Sequence, residues 1–215
     1  MLPVSDCPPP VLEVSPEVIK HRGLPRSFDV MCATVGLLVL APLFALIALA
    51  IKIASAGPVF YRQERIGKGF RAFLLVKFRT MVVGADRTGL LTSPSDTRVT
   101  QVGRVLRKYK LDELPQLINV FAGDMQLVGP RPEVPRYVDM FRPQFSLLLR
   151  EAPGLTDPAS MAYRNEENFF STGQIEDQYV AEILPHKLNL SLEYQRRRTF
   201  TSDLWILLCT LTKLA

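Results

Sequence analysis

Histidine and paired cysteine are scarce in this chain, and their scarcity argues against several kinds of site. The 215 residues include two histidines and three cysteines. The cysteines Cys7, Cys32 and Cys209 are far apart and form no Cys-x-x-Cys pair, which argues against a thiolate metal site or a disulfide framework. We therefore expect reduced cysteines, and we expect any bound metal to be a hard cation held by oxygen ligands.

Charge is missing from the segment between Val30 and Ile51. As a helix this segment is long enough to cross the roughly 30 Å hydrocarbon core of a bilayer, so a transmembrane helix is one interpretation. Pro42 near its middle favours a bend, because proline removes a helical hydrogen bond. Both flanks are basic, with Arg22 and Arg26 on one side and Lys52 and Arg62 on the other. Since basic flanks favour the cytoplasm, we predict a re-entrant helix–break–helix over residues 26–57 that returns to the same side.

Basic residues exceed acidic ones, with 26 Lys and Arg against 21 Asp and Glu. The resulting formal charge of +5 suits a partner rich in phosphate, such as a nucleotide, an anionic lipid surface or nucleic acid. The patterns after the apolar segment predict an α/β domain, mostly helical with a small β-hairpin or sheet. Residues 59–61 and 73–78 have the composition of short strands.

Two adjacent carboxylates, Asp112 and Glu113, lie between a cationic run and an apolar helix. Pro115 suits the first turn of a helix, which places both acids near a helix N-terminus, where ionised carboxylates are favoured. Such a pair can bind Mg²⁺, which uses one or two protein carboxylates together with phosphate oxygens and water. An ionised Asp can also attack phosphorus as a nucleophile. The alternative is that Asp112 only caps the helix.

Three cations elsewhere are candidates for phosphate binding. Lys77 and Arg79 are two residues apart in a predicted strand, so they share one face and could clamp a diphosphate; ordinary surface charges are the alternative. Arg131 lies between two prolines that limit its backbone freedom, and a guanidinium held in this way suits bidentate phosphate contact. The alternative is a rigid loop in which Arg131 pairs with a carboxylate of the chain, for instance Glu133 or Asp124, instead of a phosphate.

The C-terminal part offers two further surfaces. The basic run Arg196-Arg197-Arg198 is interpreted as a contact to lipid headgroups or as a solvated charge run. Residues 203–214 are apolar, include Trp205 and are too short to span a bilayer. We expect them to form an amphipathic helix in the membrane interface, with a buried core helix as the alternative.

Four blocks of residues together resemble the bacterial sugar transferase family, whose small members are monotopic polyprenol-phosphate phosphoglycosyl transferases. The blocks are Val76-Lys77-Phe78-Arg79-Thr80-Met81, Leu106-Arg107-Lys108 with Leu111-Asp112-Glu113-Leu114-Pro115-Gln116-Leu117, Asn119-Val120 with Gly123-Asp124-Met125, and Leu127-Val128-Gly129-Pro130-Arg131-Pro132. Their order and spacing match the family, and the resemblance runs from about Arg22 to the C-terminus.

The resemblance implies a division of roles. Asp112 is the expected nucleophile, and Glu113 is expected to help bind Mg²⁺ as the cofactor. Arg107 is expected to contact phosphate, and Lys77 and Arg131 to belong to the phosphate-binding surface. Phosphate or nucleotide contacts are likewise expected of Arg79, and of Arg164-Asn165, which match an Arg-Asn of the family.

The chain also departs from the family pattern at two places. The family breaks its re-entrant helix at a Ser-Pro, whereas this chain has Ala41-Pro42, which keeps the proline without the hydroxyl. After Pro153-Gly154-Leu155-Thr156, many members continue with Gly-Trp-Ala-Gln, whereas this chain has Asp157–Tyr163. Sugar specificity therefore does not transfer from better-known members.

These observations together predict a membrane-bound enzyme with three regions: a Pro-rich arm at 1–25, a re-entrant membrane helix at 26–57, and a catalytic domain with interfacial C-terminal helices at 58–215. It would move a sugar-1-phosphate from a UDP-sugar to a polyprenyl (undecaprenyl) phosphate through a covalent Asp112 intermediate, releasing UMP. Its expected place is the bacterial inner (cytoplasmic) membrane, with the catalytic domain on the cytoplasmic face. We expect membrane lipid but no nucleic acid as a partner, and a homodimer is left open.

Two rival functions remain open at this point. A membrane-bound Mg²⁺-dependent phosphohydrolase could use the same Asp112 without a lipid acceptor. A non-catalytic scaffold could bind anionic lipid through the cations alone.

Overall fold

The computed structural model describes residues 23–85, 89, 91–92, 96–164 and 175–214, so the arm predicted at 1–25 lies almost wholly outside them. The described chain is mostly helical with a small β-hairpin, as the sequence predicted, and it has a second small sheet. Its helices are α1 (Arg26–Ala54), α2 (Gln101–Lys108), α3 (Gln116–Ala122), α4 (Pro135–Met140), α5 (Arg142–Leu148), α6 (Pro158–Ala162), α7 (Ile175–Gln178), α8 (Leu184–Arg197) and α9 (Phe200–Leu214). Its strands are β1 (Phe60–Ile66), β2 (Ala72–Phe78), β3 (Gln126–Val128) and β4 (Gly154–Thr156).

The predicted hairpin is present as the antiparallel pair β1–β2, in which Tyr61 lies opposite Lys77. Helix α3 is tied to this hairpin by the buried side chain of Asn119. Its Oδ1 accepts a hydrogen bond from the backbone N–H of Val76 at 3.0 Å, and its Nδ2 donates to the carbonyl of Leu74 at 2.8 Å. The amide of Asn119 thus makes the two hydrogen bonds that the backbone of a neighbouring strand would make, and it fixes α3 against β2.

The second sheet pairs β3 with β4 in parallel, and the sequence did not predict it. Two glycines allow the chain to pass closely here: a Cβ on Gly154 would lie 2.1 Å from the backbone nitrogen of Gly129. Backbone hydrogen bonds of 2.9 Å join Gly129 to Thr156 and Gly154 to Pro130. The loop that carries Arg131 therefore starts from a rigid backbone junction.

Helix α1 lies along the domain and packs against it with both halves. In its first half, Asp29 accepts a hydrogen bond from Leu127 N–H, and Ala33 is fully buried. In its second half, Ile47 and Ile51 join a buried cluster with Phe78 and Leu106. These buried residues fall on one stripe of the helix, because each is separated from the next by whole turns.

The opposite stripe of α1 is apolar and exposed along the whole helix. Leu38 is 72% exposed and Ile53 is 78% exposed, and Met31, Val35, Val39, Leu46 and Leu49 share this face. Among the described helices, α1 is long and apolar enough to cross a membrane by length and composition. Helix α9 is a shorter apolar helix that exposes Trp205, Leu208 and Leu211 while it buries Ile206.

The interruption predicted at Ala41-Pro42 is not seen as a gap in α1, which is helical through both residues. A proline can sit within a helix at the expense of one hydrogen bond, so it need not end the helix. The structure thus bears out a long apolar helix compatible with membrane association, and the re-entrant path stays a prediction.

The prediction for Arg198 in the basic run is wrong. Its side chain is buried and donates two hydrogen bonds to the carboxylate of Asp203, at 2.7 and 3.0 Å to Oδ2, and another to the carbonyl of Val128. Asp203 is fully buried and also accepts from the backbone N–H of Leu24 at 2.9 Å. A turn between α8 and α9 directs Arg198 inwards, whereas its neighbours Arg196 and Arg197 are exposed.

Candidate active site

A cleft of about 850 Å³ lies between the β1–β2 hairpin, α2 and the loop that follows β3. This volume is within the range of ligand pockets. Asp112 and Glu113 line it together with many cations, which are Arg65, Lys77, Arg79, Arg104, Arg107, Lys108, Lys110, Arg131 and Arg164. The cleft therefore brings the predicted carboxylates and the predicted phosphate-binding cations into one space.

The local backbone presents the two carboxylates at a turn. Helix α2 ends at Lys108, and Lys110 takes a left-handed conformation with φ 55°, which is uncommon for a residue with a side chain. A short 3₁₀ turn over Leu111–Glu113 follows, and Pro115 then precedes α3. The predicted placement of the acids just before a helix is confirmed.

Glu113 is held between two of the predicted cations. Its Oε1 accepts a hydrogen bond from Lys77 Nζ at 3.0 Å and another from Arg131 Nη2, and its Oε2 accepts from Arg131 Nη1 at 3.2 Å. Burial raises the pKa of Glu113, but the charges of Arg131 and Lys77 outweigh it and hold this pKa well below its usual value. Glu113 is therefore the carboxylate of the pair that ionises first.

Asp112 is buried, with 8% of its surface exposed, and its Oδ1 has no hydrogen-bond partner among the described residues. Burial raises its pKa, and the charge of Glu113 adds to this, while Lys77, Arg107 and Lys110 oppose it. Buried carboxylate oxygens are nearly always paired. Asp112 Oδ1 is therefore a buried acceptor without a partner among the described residues, on a side chain that lines the cleft.

Arg107 reaches the cleft from the last turn of α2, and a neighbouring loop holds it. Its Nε donates to the hydroxyl of Thr80 at 3.0 Å. The carbonyl of Thr80 in turn accepts a hydrogen bond from the backbone of Thr100, the N-cap of α2. The approach is so close that a Cβ on Gly103 would lie 2.0 Å from this carbonyl oxygen. Thr80 and Gly103 thus position Arg107, and the sequence interpretation did not assign them this role.

The remaining predicted phosphate-binding residues differ in their placement. Arg79 lines the cleft, but its guanidinium donates to the carbonyls of Ser55 and Ala56 at 2.8 Å, so it caps the C-terminal end of α1 instead of joining the Lys77–Glu113–Arg131 group. Arg164 lines the cleft close to the carboxylate pair. Asn165 lies outside the described residues.

The carboxylate pair offers Mg²⁺ a limited donor set. Asp112 Oδ1 has no partner among the described residues, whereas Glu113 already accepts three hydrogen bonds from Lys77 and Arg131 and keeps about one of its four acceptor sites. Mg²⁺ takes one or two carboxylates while phosphate oxygens and water complete its shell. Within the described part of the chain, no group of three or more His, Cys, Asp or Glu residues could hold a metal. Asp112 and Glu113 would thus hold the ion only together with the phosphates of a substrate.

A second charged group at the cleft was not predicted. Glu133 is buried and accepts hydrogen bonds from Arg65 Nη1 at 3.1 Å and from the hydroxyl of Tyr179 at 2.7 Å. Arg98 organises another part of the wall by donating to the carbonyls of Ala85 and Leu91. The partners of Glu133 lie 68 and 46 positions away in the chain, which explains why no local sequence signal reveals this group.

Comparison with known proteins places this geometry in a family. The model of the bacterial sugar transferase family matches residues 20–215. The chain is 39% identical over 171 residues to the exopolysaccharide production protein ExoY of Rhizobium meliloti, covering 72% of this chain and 76% of that protein. It is 37% identical over 144 residues to a putative undecaprenyl-phosphate N-acetylgalactosaminyl 1-phosphate transferase of Bacillus subtilis, covering 66% of this chain and 76% of that protein.

A longer relative matches nearly the whole chain. The UDP-glucose:undecaprenyl-phosphate glucose-1-phosphate transferase of Escherichia coli is 35% identical over 198 residues, which are 90% of this chain but 40% of that protein. The match of the family model spans the described cleft and both carboxylates. The chain belongs to the bacterial sugar transferase family and is a transferase.

Proposed function

We propose that this chain moves a sugar-1-phosphate from a UDP-sugar to a polyprenyl phosphate in the membrane, as a first membrane step of glycoconjugate assembly. The names of the relatives from Escherichia coli and Bacillus subtilis specify undecaprenyl-phosphate sugar-1-phosphate transfer, and this supports the substrate class. The observation that carries the mechanism is the buried Asp112 carboxylate, whose Oδ1 is unpaired at a cleft lined by cations.

In the first step, a carboxylate oxygen of Asp112 attacks the phosphorus that bears the sugar. The new bond joins Asp112 to this phosphorus, and the bond between it and the oxygen of the leaving UMP breaks. Arg107 and Arg131 supply fixed positive charge for the oxygens on which negative charge develops. Lys77 contributes in the same way and keeps Glu113 ionised.

In the second step, a phosphate oxygen of the polyprenyl phosphate attacks the same phosphorus. The bond to Asp112 breaks, the carboxylate is restored, and the product is a polyprenyl-diphosphate sugar. Mg²⁺ held by Asp112, Glu113 and the substrate phosphates would offset negative charge on the diphosphate. The paired hydrogen bonds to Glu113 hold the guanidinium of Arg131 in one orientation beside the cleft.

The packing of α1 supports a monotopic arrangement, which we place at the cytoplasmic face of the inner membrane as part of the proposal. Both halves of α1 contact the same domain, while the opposite stripe exposes Leu38 and Ile53. A helix that crossed a bilayer in a straight line would draw this domain into the hydrocarbon. A path that enters and leaves on one side, with α9 in the interface, keeps the cleft in water and near the lipid headgroups.

The test of the mechanism is the Asp112→Asn variant. Asparagine keeps the shape of the side chain but lacks the nucleophilic oxygen, so we expect UMP release to fall by roughly 10³-fold or more. Mass spectrometry of the unaltered chain, incubated with UDP-glucose or UDP-N-acetylgalactosamine and no lipid, is expected to find a phosphosugar adduct on Asp112. These two sugars are those that the names of relatives specify.

Asp139→Asn is the matched control, because Asp139 forms an exposed ion pair with Arg142 far from the carboxylate pair. It should release UMP at the rate of the unaltered chain. Full activity of Asp112→Asn contradicts the covalent mechanism. Sugar-phosphate hydrolysis that does not depend on added polyprenyl phosphate favours the phosphohydrolase, and lipid binding without any turnover favours the scaffold.

A further inference from the structure

A second, smaller groove lies on the other side of the Glu113–Arg131 pair. Its volume is about 150 Å³, and its apolar lining includes Leu114, Leu155 and Met161, with Ser160 and Thr210 beside them. Residues of β4, α6, α8 and α9 build its walls, and the α8 residue is the buried Lys187. The groove is therefore formed by elements that contribute little to the large cleft.

The groove and the cleft meet at the Glu113–Arg131 pair, next to Asp112, which lines only the cleft. Lys110, Glu113, Arg131 and Arg164 line both spaces. The charge of Glu113 is offset by Lys77 and Arg131, so the junction presents net positive charge to an entering phosphate. A ligand with an apolar body and an anionic head would place its body in the groove and its head beside Asp112 and Glu113.

The size of the groove matches a short branched hydrocarbon. A dry apolar cavity of roughly 150 Å³ is known to hold a benzene molecule. An isoprene unit has fewer carbons than benzene, so one unit fits this volume. A sugar or a uracil would lose hydrogen bonds to water against Leu155 and Met161, whereas an isoprene unit would gain by burial.

One polar group of the groove lacks a partner. The hydroxyl of Ser160 is buried and makes no hydrogen bond among the described residues, although its backbone N–H donates to Asp157. Buried hydroxyls are usually paired. The ester oxygen that joins a phosphate to its first isoprene unit would give Ser160 a hydrogen-bond partner.

Helix α9 contributes Thr210 to the groove. Leu211 is exposed about a quarter turn further around the helix, whereas Trp205 and Leu208 are exposed on its far side. A lipid tail that leaves the groove past Leu211 would reach this exposed apolar face.

We propose that this groove binds the phosphate-proximal isoprene unit of the polyprenyl phosphate acceptor. Its phosphate lies beside Arg131, Lys110 and Arg164, and its tail leaves along α9. The proposal rests on the proposed function and adds to it that the two substrates reach Asp112 from opposite sides. The UDP-sugar occupies the polar cleft, and the acceptor needs no part of that cleft beyond the shared junction.

Photolabelling of the full-length chain in detergent tests the proposal. The probe is farnesyl phosphate that carries a diazirine on its first isoprene unit, with no UDP-sugar present. We expect peptide mapping to find the label within residues 154–163 and 205–212, with protection by unmodified farnesyl phosphate. Label confined to the β1–β2 hairpin or to α1 overturns the proposal.

Filling the groove provides a second measurement. Ser160→Phe places a ring in the apolar space, so we expect the affinity for farnesyl phosphate to fall at least tenfold relative to the affinity for UMP. Ser146→Phe is the matched control, because Ser146 is exposed on α5 and lies away from the groove. An unchanged ratio of the two affinities in a folded Ser160→Phe chain contradicts the proposal.

The two experiments separate this proposal from the proposed function. The photolabelling uses the unaltered chain. Its result therefore tests the proposal even if the Ser160→Phe chain does not fold. If the phosphosugar adduct forms on Asp112 but the photolabel lies outside the groove, the groove is not the acceptor site and the proposed function stands. Label within the groove, with neither adduct nor UMP release, rejects the transfer mechanism and keeps a prenyl phosphate site.

Discussion

At the scale of single residues, the paired hydrogen bonds between Arg131 and Glu113 organise the reacting groups. Both terminal nitrogens of the Arg131 guanidinium, Nη1 and Nη2, donate to the carboxylate of Glu113. The prolines on either side limit the backbone freedom of Arg131, so its guanidinium group is presented in one orientation. A lysine has one ammonium group and cannot reproduce this geometry.

We therefore expect Arg131→Lys to lower kcat/KM for UMP release by about 10- to 100-fold, because a hydrogen bond to a charged group contributes about 1.5–3 kcal/mol. Steady-state kinetics with the UDP-sugar that forms the adduct provides the measurement. Arg136→Lys is the control, since Arg136 pairs with Glu176 at an exposed position on α4. Equal activity of the two variants would show that charge alone suffices at position 131.

The buried ion pair between Arg198 and Asp203 governs stability more than chemistry. Replacing Asp203 by Asn leaves the guanidinium of Arg198 buried without its counter-charge, and such a loss costs about 3–5 kcal/mol. We expect Asp203→Asn to lower the free energy of unfolding by this amount in urea titrations. Asp139→Asn removes an exposed pair and should change it by less than about 0.5 kcal/mol.

The residue types of the site were predictable, but their partners were not. Asp112, Glu113, Lys77 and Arg131 meet as expected, because each stands in a short motif whose local backbone is set by proline or by strand alternation. Arg79 donates hydrogen bonds to the carbonyls of Ser55 and Ala56, and Arg198 forms an ion pair with Asp203. A charge run in a sequence does not reveal which member turns inwards, since that depends on a distant acceptor.

At the scale of elements, α2 determines where Arg107 stands. Gly103 lets the helix approach the carbonyl of Thr80, and Arg107 follows one turn later on the same face. A methyl group at position 103 would meet backbone, which cannot move aside as a side chain can. The helix itself would have to shift away from the cleft.

We expect Gly103→Ala to lower the rate of UMP release by at least about tenfold, even though alanine has the higher helix propensity. The reason is displacement of Arg107, so KM for the UDP-sugar should rise together with the fall in kcat. Gln101→Ala lies in the same helix at an exposed position and should behave like the unaltered chain. A more active Gly103→Ala chain would refute the positional role of α2.

Elements with a strong local signal were predicted, and those that depend on pairing were not. The strands of the hairpin follow from their composition, and the helix after the carboxylate pair follows from Pro115 at its start. Strand β4 has three residues and exists because Gly154 packs on Gly129, twenty-five positions earlier in the chain. Such a strand carries too few residues for a pattern to show.

At the scale of the whole molecule, α1 is held to the domain at both ends, which predicts one-sided topology. We expect cysteines introduced as Ser27→Cys and Ala56→Cys, in a chain whose natural cysteines are replaced, to react with a membrane-impermeant maleimide from the same side of sealed vesicles. Both positions are exposed. Permeabilised vesicles serve as the control, and labelling from opposite sides would establish a spanning helix.

The hydrogen bond between Leu24 and Asp203 bears on the order in which membrane attachment and folding occur during synthesis. The two residues are 179 positions apart, and a ribosome needs roughly 10–35 s to cover that distance at about 5–20 residues per second. For about the first half of this interval Asp29 also lacks its partner Leu127 on β3, which lies 98 positions later, so the first half of α1 is not yet covered by the domain. We therefore expect nascent α1 to attach to the bilayer first, and the domain to close onto a helix that is already in lipid.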